Sequence, residues 1–404
     1  MELLRRDTTL TRMLAEAGAF AAEPFHLIDV GCSGGIDVAW RAFEPSLVAH
    51  GFDPMIDMCE GLQASERNPN VHYHARFVGL PPDHQFAKRR REDLAIHGDG
   101  SPWERLSTAA ALRQHIPEGV TTNTFNSPRM AEEKSTIGVS DFVHSSQIAT
   151  VDFIKIDIDG GDIEALVSAE QAITTKRVLG VGIEVNYFGL HIDTANSFHN
   201  IDRLLRQLGF CLCGLTVRPY SRQYMPSPFL YEFIGQTSFG PPLQGDAVYL
   251  RSSSGAPAIL SNWGMPKCLK LLSLFALFGL PDCAAEVILS CGPQSFYGIS
   301  GDAMLDVLTP ELNGRSISYA EYMATFKTDI RQFMPSARPP SKLEPDPEID
   351  RLRDALARFR EEAETQRVRA EALDQEARSL RRSTSWRVTS PFRTLSRLLR
   401  ARVG

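Results

Sequence analysis

The sequence predicts an α/β protein, with a mostly parallel sheet of seven strands, a helical appendage behind it and a coiled coil near the C-terminal end. Three observations predict this. Strand-like stretches at residues 25–30, 47–53 and 152–158 run into glycine or acid and alternate with helical stretches, the pattern of strands joined by crossover helices. From residue 256 to 333 the strand-like runs give way to leucines at helical spacing. Beyond residue 348 apolar residues recur in alternating steps of three and four.

The elements follow in order. Residues 1–24 hold a short amphipathic helix at 8–21. Residues 25–30 read as a buried strand that breaks at Gly31-Cys32-Ser33-Gly34-Gly35, with a helix expected from Gly35 or Ile36. Residues 47–53 form a second strand ending in Asp53, residues 57–65 a helix and residues 71–80 a third strand. Residues 81–135 are long for a loop and read as an insert or lid. They carry the basic run Lys88-Arg89-Arg90-Arg91, which fits either a solvated surface or an anionic acceptor site. A strand then runs through Asp152-Phe153-Ile154-Lys155-Ile156-Asp157-Ile158-Asp159, followed by a helix at 162–172 and a strand at 178–185. A helix at 198–208 and strands near 210–217 and 246–250 complete the main domain, which spans 25–254. The last two strands suit an antiparallel hairpin.

Residues 255–333 are the helical appendage, and 334–347 a linker with five prolines, Pro335, Pro339, Pro340, Pro345 and Pro347. Residues 348–382 give the coiled coil, on Ile349, Leu352, Leu356, Phe359, Ala363, Gln366, Ala370, Leu373, Ala377 and Leu380. Residues 383–404 form a basic tail, in which Arg alternates with Trp386, Phe392 and leucines and no acid occurs. It fits contact with a membrane surface or a disordered tail. The coiled coil offers self-association or a partner enzyme.

Composition narrows the function. A net charge of −6 over 404 residues argues against nucleic acid as a partner. The seven cysteines are scattered and odd in number, so a disulfide framework is not expected. Cys211 and Cys213 read as buried strand residues, since no second pair lies at zinc spacing. The opening Met1-Glu2-Leu3-Leu4-Arg5-Arg6 carries charge where a secretory leader has an apolar core, so a cytoplasmic protein is expected, with peripheral contact at the inner membrane. The apolar stretch at 269–280 is shorter than a membrane span and reads as a core helix.

The candidate cofactor residues are Asp29, Gly31, Ser33, Gly34, Gly35 and Asp53. A strand that ends in a glycine turn brings backbone N–H groups close to a ligand, and a helix N-terminus favours an anionic group there. An acid about 20 residues on, at the end of the next strand, can take both hydroxyls of a ribose. Dinucleotides need that acid as well. Their loop is Gly-x-Gly-x-x-Gly, and here Ser33 stands where pyrophosphate would approach.

The segment Asp152-Phe153-Ile154-Lys155-Ile156-Asp157-Ile158-Asp159-Gly160-Gly161-Asp162 resembles the most distinctive stretch of the FkbM-type methyltransferases, usually Asp-Phe-Ile-Lys-Ile-Asp-Val-Glu-Gly-x-Glu. Asp159 replaces the usual Glu, and Asp162 the second Glu. Residues 136–142, with Asp141, look like the family's preceding strand and its Leu-Asp element, with Ser140 in place of Leu. Ile183-Glu184-Val185 looks like its fifth-strand acid. The resemblance covers roughly residues 25–250. It implies a class I methyltransferase (Rossmann-like) fold, S-adenosylmethionine as cofactor and O-methylation, often of sugars or polyketide hydroxyls.

Methyl transfer needs the acceptor oxygen held near the methyl group and a base for its proton. The candidates are Asp157, Asp159, Lys155, Glu184 and His191, with His144 and His199 as further histidines. The acids Asp157, Asp159, Asp162 and Glu184 offer an alternative, Mg²⁺ held by carboxylate oxygens, although no metal is expected. The Ser383-Thr384-Ser385-Trp386-Arg387 tail resembles those of bacterial surface-polysaccharide enzymes and points the acceptor toward a glycan or glycolipid. Two rival readings stand beside this one: a nicotinamide-dependent sugar oxidoreductase, and a non-catalytic scaffold that works through its coiled coil.

Overall fold

The computed structural model describes residues 3–4, 8–97, 129–132, 136–158, 160–230, 236–291 and 296–334. The coiled coil, the tail, the linker beyond Met334, Asp159 and residues 98–128 lie outside them. Two compact units divide the chain, Met1–Phe333 and Met334–Gly404. The sheet and its helices belong to the first.

The sheet runs β3 (Val71–Ala75), β2 (Leu47–Asp53), β1 (Phe25–Val30), β4 (Phe153–Ile156), β5 (Gly180–Asn186), β8 (Pro242–Leu250), β6 (Cys211–Leu215). The first five strands are parallel, while β8 enters antiparallel between β5 and β6. Seven strands thus lie on the path, and the two-residue β7 (Arg218–Pro219), beside β8, makes an eighth that the sequence did not suggest. This is the strand order of class I methyltransferases, with the last two strands as the antiparallel hairpin.

Helices cover both faces, which is why apolar residues of the strands point to both sides. Phe25, Leu27, Leu47, Phe153 and Leu250 point to one core, and Ile28, Val30, Phe52, Ile154 and Tyr249 to the other. The first face carries α1 (Thr9–Glu16), a 3-10 helix (Val38–Phe43) and the helices after the sheet: α7 (Ala256–Trp263), α8 (Met265–Leu277), α9 (Pro281–Ser290) and α10 (Gly301–Leu308). The second face carries α4 (Val139–Ser145), α5 (Asp162–Thr175) and α6 (Phe198–Gln207). Helices α2 (Ile56–Ser65), α3 (Gln85–His97) and α11 (Tyr319–Thr328) are the other α-helices among the described residues.

Several expectations are corrected. The helix after Gly35 is not an α-helix but six residues of 3-10 helix, with Asp37 accepting from the Ala39 amide as its cap. The third strand stops at Ala75 rather than residue 80. Within 136–142, only Ile137 bridges toward the sheet, to Val78, and the chain enters α4 at Val139. Part of the expected 81–135 insert is regular, as α3. Cys211 is exposed and Cys213 half-buried, because β6 is an edge strand with only β8 beside it. The 269–280 stretch is, as expected, a buried core helix, α8. Among the described residues no helix is long and apolar enough to cross a membrane.

At the N-terminal end of the strands α8 is locked to the sheet by buried charge. Lys267 and Lys270 are fully buried, and both reach Asp152, the residue before β4. Lys270 also bonds Glu23 at 2.9 Å and the Pro24 carbonyl at 2.8 Å. Burial works against charge at Asp152, but the two ammonium groups outweigh it and hold its carboxyl below the usual range.

Candidate functional site

The strand order reverses between β1 and β4, and open α/β sheets bind ligands outside the carboxyl ends of the strands at such a point. Gly31–Gly35, Asp53 and Asp157 stand there. Gly31, Gly34 and Gly35 have φ of 82°, 83° and 93°, in the left-handed region. At Gly31 a Cβ would lie 1.8 Å from the Asp157 carbonyl oxygen, so the glycine loop rests directly on the backbone that leaves β4.

The loop departs from the simple anion cradle. The Gly31 and Cys32 amides both donate to the Phe52 carbonyl, at 2.9 and 3.1 Å, and the Gly35 amide to the Cys32 carbonyl at 2.8 Å. The helix behind the loop is too short to add much partial charge. Ser33 and Gly34 form its exposed outer bend.

Lys155 supplies the charge instead. Asp29 and Lys155 are register partners across β1 and β4. The ammonium donates to the Gly31 carbonyl at 2.8 Å and sits 3.0 Å from Asp29 Oδ1 and 3.6 Å from Asp157 Oδ2. Burial opposes that charge, but the two carboxylates more than offset it and hold the lysine pKa above its ordinary value. Burial pushes Asp29 up, partly relieved by Lys155. Asp53 ends β2, nearly buried, with Oδ1 accepting from the Met55 amide at 2.9 Å. Asp157 is a third exposed and opens to the crevice.

The other sequence candidates do not all join this group. Glu184 is buried on β5 and held by Arg218 at 2.7 Å, the same guanidinium reaching Asp246 at 3.0 Å. Asp162 is buried, with its carboxylate accepting from the amides of Ile158 and Gly160, each at 3.0 Å, and from Asn196 Nδ2 at 2.9 Å. Burial raises its pKa against those three donors. Asp162 therefore shapes the turn after β4. Among the described residues no group of three or more His, Cys, Asp or Glu is placed to hold a metal. His144 lies on α4, away from these residues in sequence and on the second face.

His191 and His199 come together in a cavity of about 260 Å³ that follows β5, walled by Asn186, Tyr187, Phe188, Ser197, Phe198 and Asn200 among others. Sequence reasoning proposed His191 but missed the cavity; a polar and aromatic run after a buried strand was its only trace. A larger cavity, about 870 Å³, runs from Gly34 and Gly35 toward Arg41, Glu66 and Asn70. Its walls exclude Asp53, Lys155 and Asp157, so it flanks the cofactor loop and does not contain the chemistry.

Residues 42–212 match the methyltransferase FkbM domain. The chain carries a methyltransferase FkbM domain. It is an S-adenosylmethionine-dependent methyltransferase, as the Asp152–Asp162 segment and the strand order also indicate. No curated protein matches it. Solved structures similar to this chain include magnesium protoporphyrin IX methyltransferase from Synechocystis PCC 6803 with bound SAM, at 10% identity, 60% of this chain, 78% of that one and a TM-score of 0.26. Precorrin-6y C5,15-methyltransferase from Geobacter metallireducens GS-15 is similar at 9%, 59%, 87% and 0.26. A TehB-like SAM-dependent methyltransferase from Corynebacterium glutamicum is similar at 11%, 59%, 87% and 0.24.

The residues fit this cofactor better than a dinucleotide. Asp29, Asp53 and Asp157 make the crevice acidic, which suits a ligand carrying an ammonium and a sulfonium. The one cation among them, Lys155, is already engaged by Gly31 and Asp29. A pyrophosphate would meet repulsion there.

Proposed function

We propose that the FkbM domain methylates a hydroxyl oxygen of a sugar, within a glycan or glycolipid. The observation that carries this reading is the cavity after β5, where histidines, asparagines and a serine alternate with aromatic rings. Polar groups that bond hydroxyls beside flat apolar walls suit a pyranose. The tail's resemblance to surface-polysaccharide enzymes supports it.

In this reading Asp53 holds the ribose hydroxyls, and Asp157, beside the Gly31 loop, faces the cofactor ammonium. S-adenosylmethionine, when bound, supplies an electrophilic methyl carbon. Lys155 fixes the loop by bonding the Gly31 carbonyl. The aromatic walls orient the acceptor and exclude water, which raises the chance of an in-line approach. His191, exposed at the cavity, takes the proton as the hydroxyl oxygen attacks.

The test is mass spectrometry of cellular glycans with the wild-type gene, with its deletion and with the deletion complemented by His191→Ala. The expected result is one methyl group lost on deletion and not restored by the variant. An unchanged glycan methylation pattern would remove the sugar reading. Isothermal titration with S-adenosylhomocysteine and NAD separates the oxidoreductase, since only the former should bind.

A further inference from the structure

The basic run on α3 splits in two. Lys88, Arg89 and Arg91 are exposed, whereas Arg90 is nearly buried, with its side chain 13% exposed. Its guanidinium makes three bonds to three separate pieces of chain. Nη2 donates to the Gly160 carbonyl at 3.1 Å, in the turn after β4, and Nη1 to the Thr194 carbonyl at 2.5 Å, in the loop after β5. Nε pairs with Glu164 at 3.1 Å, in the first turn of α5.

The two loops so joined have different duties. The turn that starts at Asp157 borders the cofactor crevice. The loop that contains Thr194 closes the cavity proposed for the acceptor, through Ile192 and Asp193. From the other side the two are stapled by Asn196, which accepts from the Ile163 amide at 3.1 Å and donates to Asp162 at 2.9 Å. Asp93, one turn along α3, accepts from the Thr194 hydroxyl at 2.5 Å. A planar fork with five donors can span such a junction, and a lysine cannot.

We propose that Arg90 is a positioning residue for methyl transfer: it locks the turn after β4 to the loop after β5, so that cofactor binding on one side orders the acceptor wall on the other. This rests on the methyltransferase reading. Arg90 touches neither the Gly31–Gly35 loop nor Asp53, so it sets the geometry between two sites without belonging to the cofactor's own contacts.

Hydrogen exchange on the full chain tests it, with S-adenosylhomocysteine as the probe. In the wild type the probe should slow exchange at residues 192–197 by about fivefold or more. In Arg90→Ala that protection should disappear, while probe affinity stays within about threefold and the melting temperature moves little. Added guanidinium should restore the protection, and Arg90→Lys should keep only part of it. Should Arg90→Ala fail to fold, Arg90→Lys carries the test. Protection that survives in both variants overturns the proposal and leaves Arg90 as a surface brace. A loss of probe affinity beyond about tenfold also overturns it, by placing Arg90 within the cofactor site. A wild type that does not bind the probe at all refutes the methyltransferase reading instead.

Discussion

Lys155 keeps its charge where burial discourages it, because two carboxylates and a carbonyl converge on one ammonium. Lys155→Met would leave Asp29 buried without its counterion and the Gly31 carbonyl without its donor. Breaking such a pair costs about 3 kcal/mol or more, read as a lower urea midpoint. S-adenosylhomocysteine affinity should fall at least about tenfold, since the loop loses its anchor. Unchanged affinity would show that the lysine serves only stability. Asp53→Ala should weaken the same ligand by about 10–100-fold, the worth of bonds to a charged acceptor, with stability nearly kept. The sequence made Lys155 and Asp157 legible because they share one strand end with the distinctive family segment. Glu184 was legible only as an acid on β5. Its partner Arg218 lies on β7, beyond β8's place in the sheet, and no spacing rule connects them. Arg90 was hidden among three solvated neighbours of the same charge.

At the scale of elements, β2 and β3 share a ladder of histidines. His50, His72 and His74 lie on one face with Phe52 and Phe142, and His50 Nδ1 is 3.1 Å from His74 Nε2. Burial lowers the His50 pKa from 6.5 to about 3, and that of His74 to about 4. The folded state therefore keeps both neutral where the unfolded chain takes up protons. Between roughly pH 6.5 and 4 the unfolded state binds more protons, so stability falls as pH falls and levels off only below the folded values. The urea midpoint should follow that course, and a His50→Gln, His74→Gln double variant should flatten it. An equally steep acid slope in the double variant would move the cause elsewhere. The sequence showed β2 and β3 as strands, but that His50, His72 and His74 gather on one covered face depends on the pairing of the two strands and on Phe142 of α4, which no local pattern displays. The residues before that helix were expected as a strand only from the family resemblance, and a single bridge at Ile137 is what the fold keeps of it. The helix after Gly35 failed for a related reason. Apolar spacing at Val38, Trp40 and Phe43 suits a 3-10 turn as well as an α-helix, and only packing against Phe25 and Phe153 decides.

At the scale of the molecule, the helices after the sheet share one core with it. Phe278 stacks on Phe153 with ring centroids 5.5 Å apart, and Trp40 lies 6.2 Å from the Phe278 ring. A chain ended after Ser252 would expose that face. It should lose its near-ultraviolet circular dichroism and bind a hydrophobic dye while keeping secondary structure; a sharp native spectrum would show that the sheet folds without its appendage. The charge knot gives a finer test. Asp152→Asn leaves Lys267 buried without a carboxylate and Lys270 with Glu23 alone, and should cost about 3–5 kcal/mol of unfolding free energy. The sequence displayed Asp152 as the first residue of the family segment and Lys270 as an interruption in an apolar run. That Lys270, and Lys267 just before the run, answer that acid could not be read, because they lie more than a hundred residues from it.

Strand β8 sits between two strands that precede it in the chain. On the ribosome, Gly-Val-Gly-Ile-Glu-Val-Asn of β5 emerges first, then β6, and only later the residues that fill the gap. Translation adds about 5–20 residues per second, so for seconds the apolar edge of β5 stands open with the wrong neighbour close at hand. An unpaired edge of that kind recruits strands. Nascent chains of this protein, arrested before residue 242, are thus the species for which chaperones have most to do.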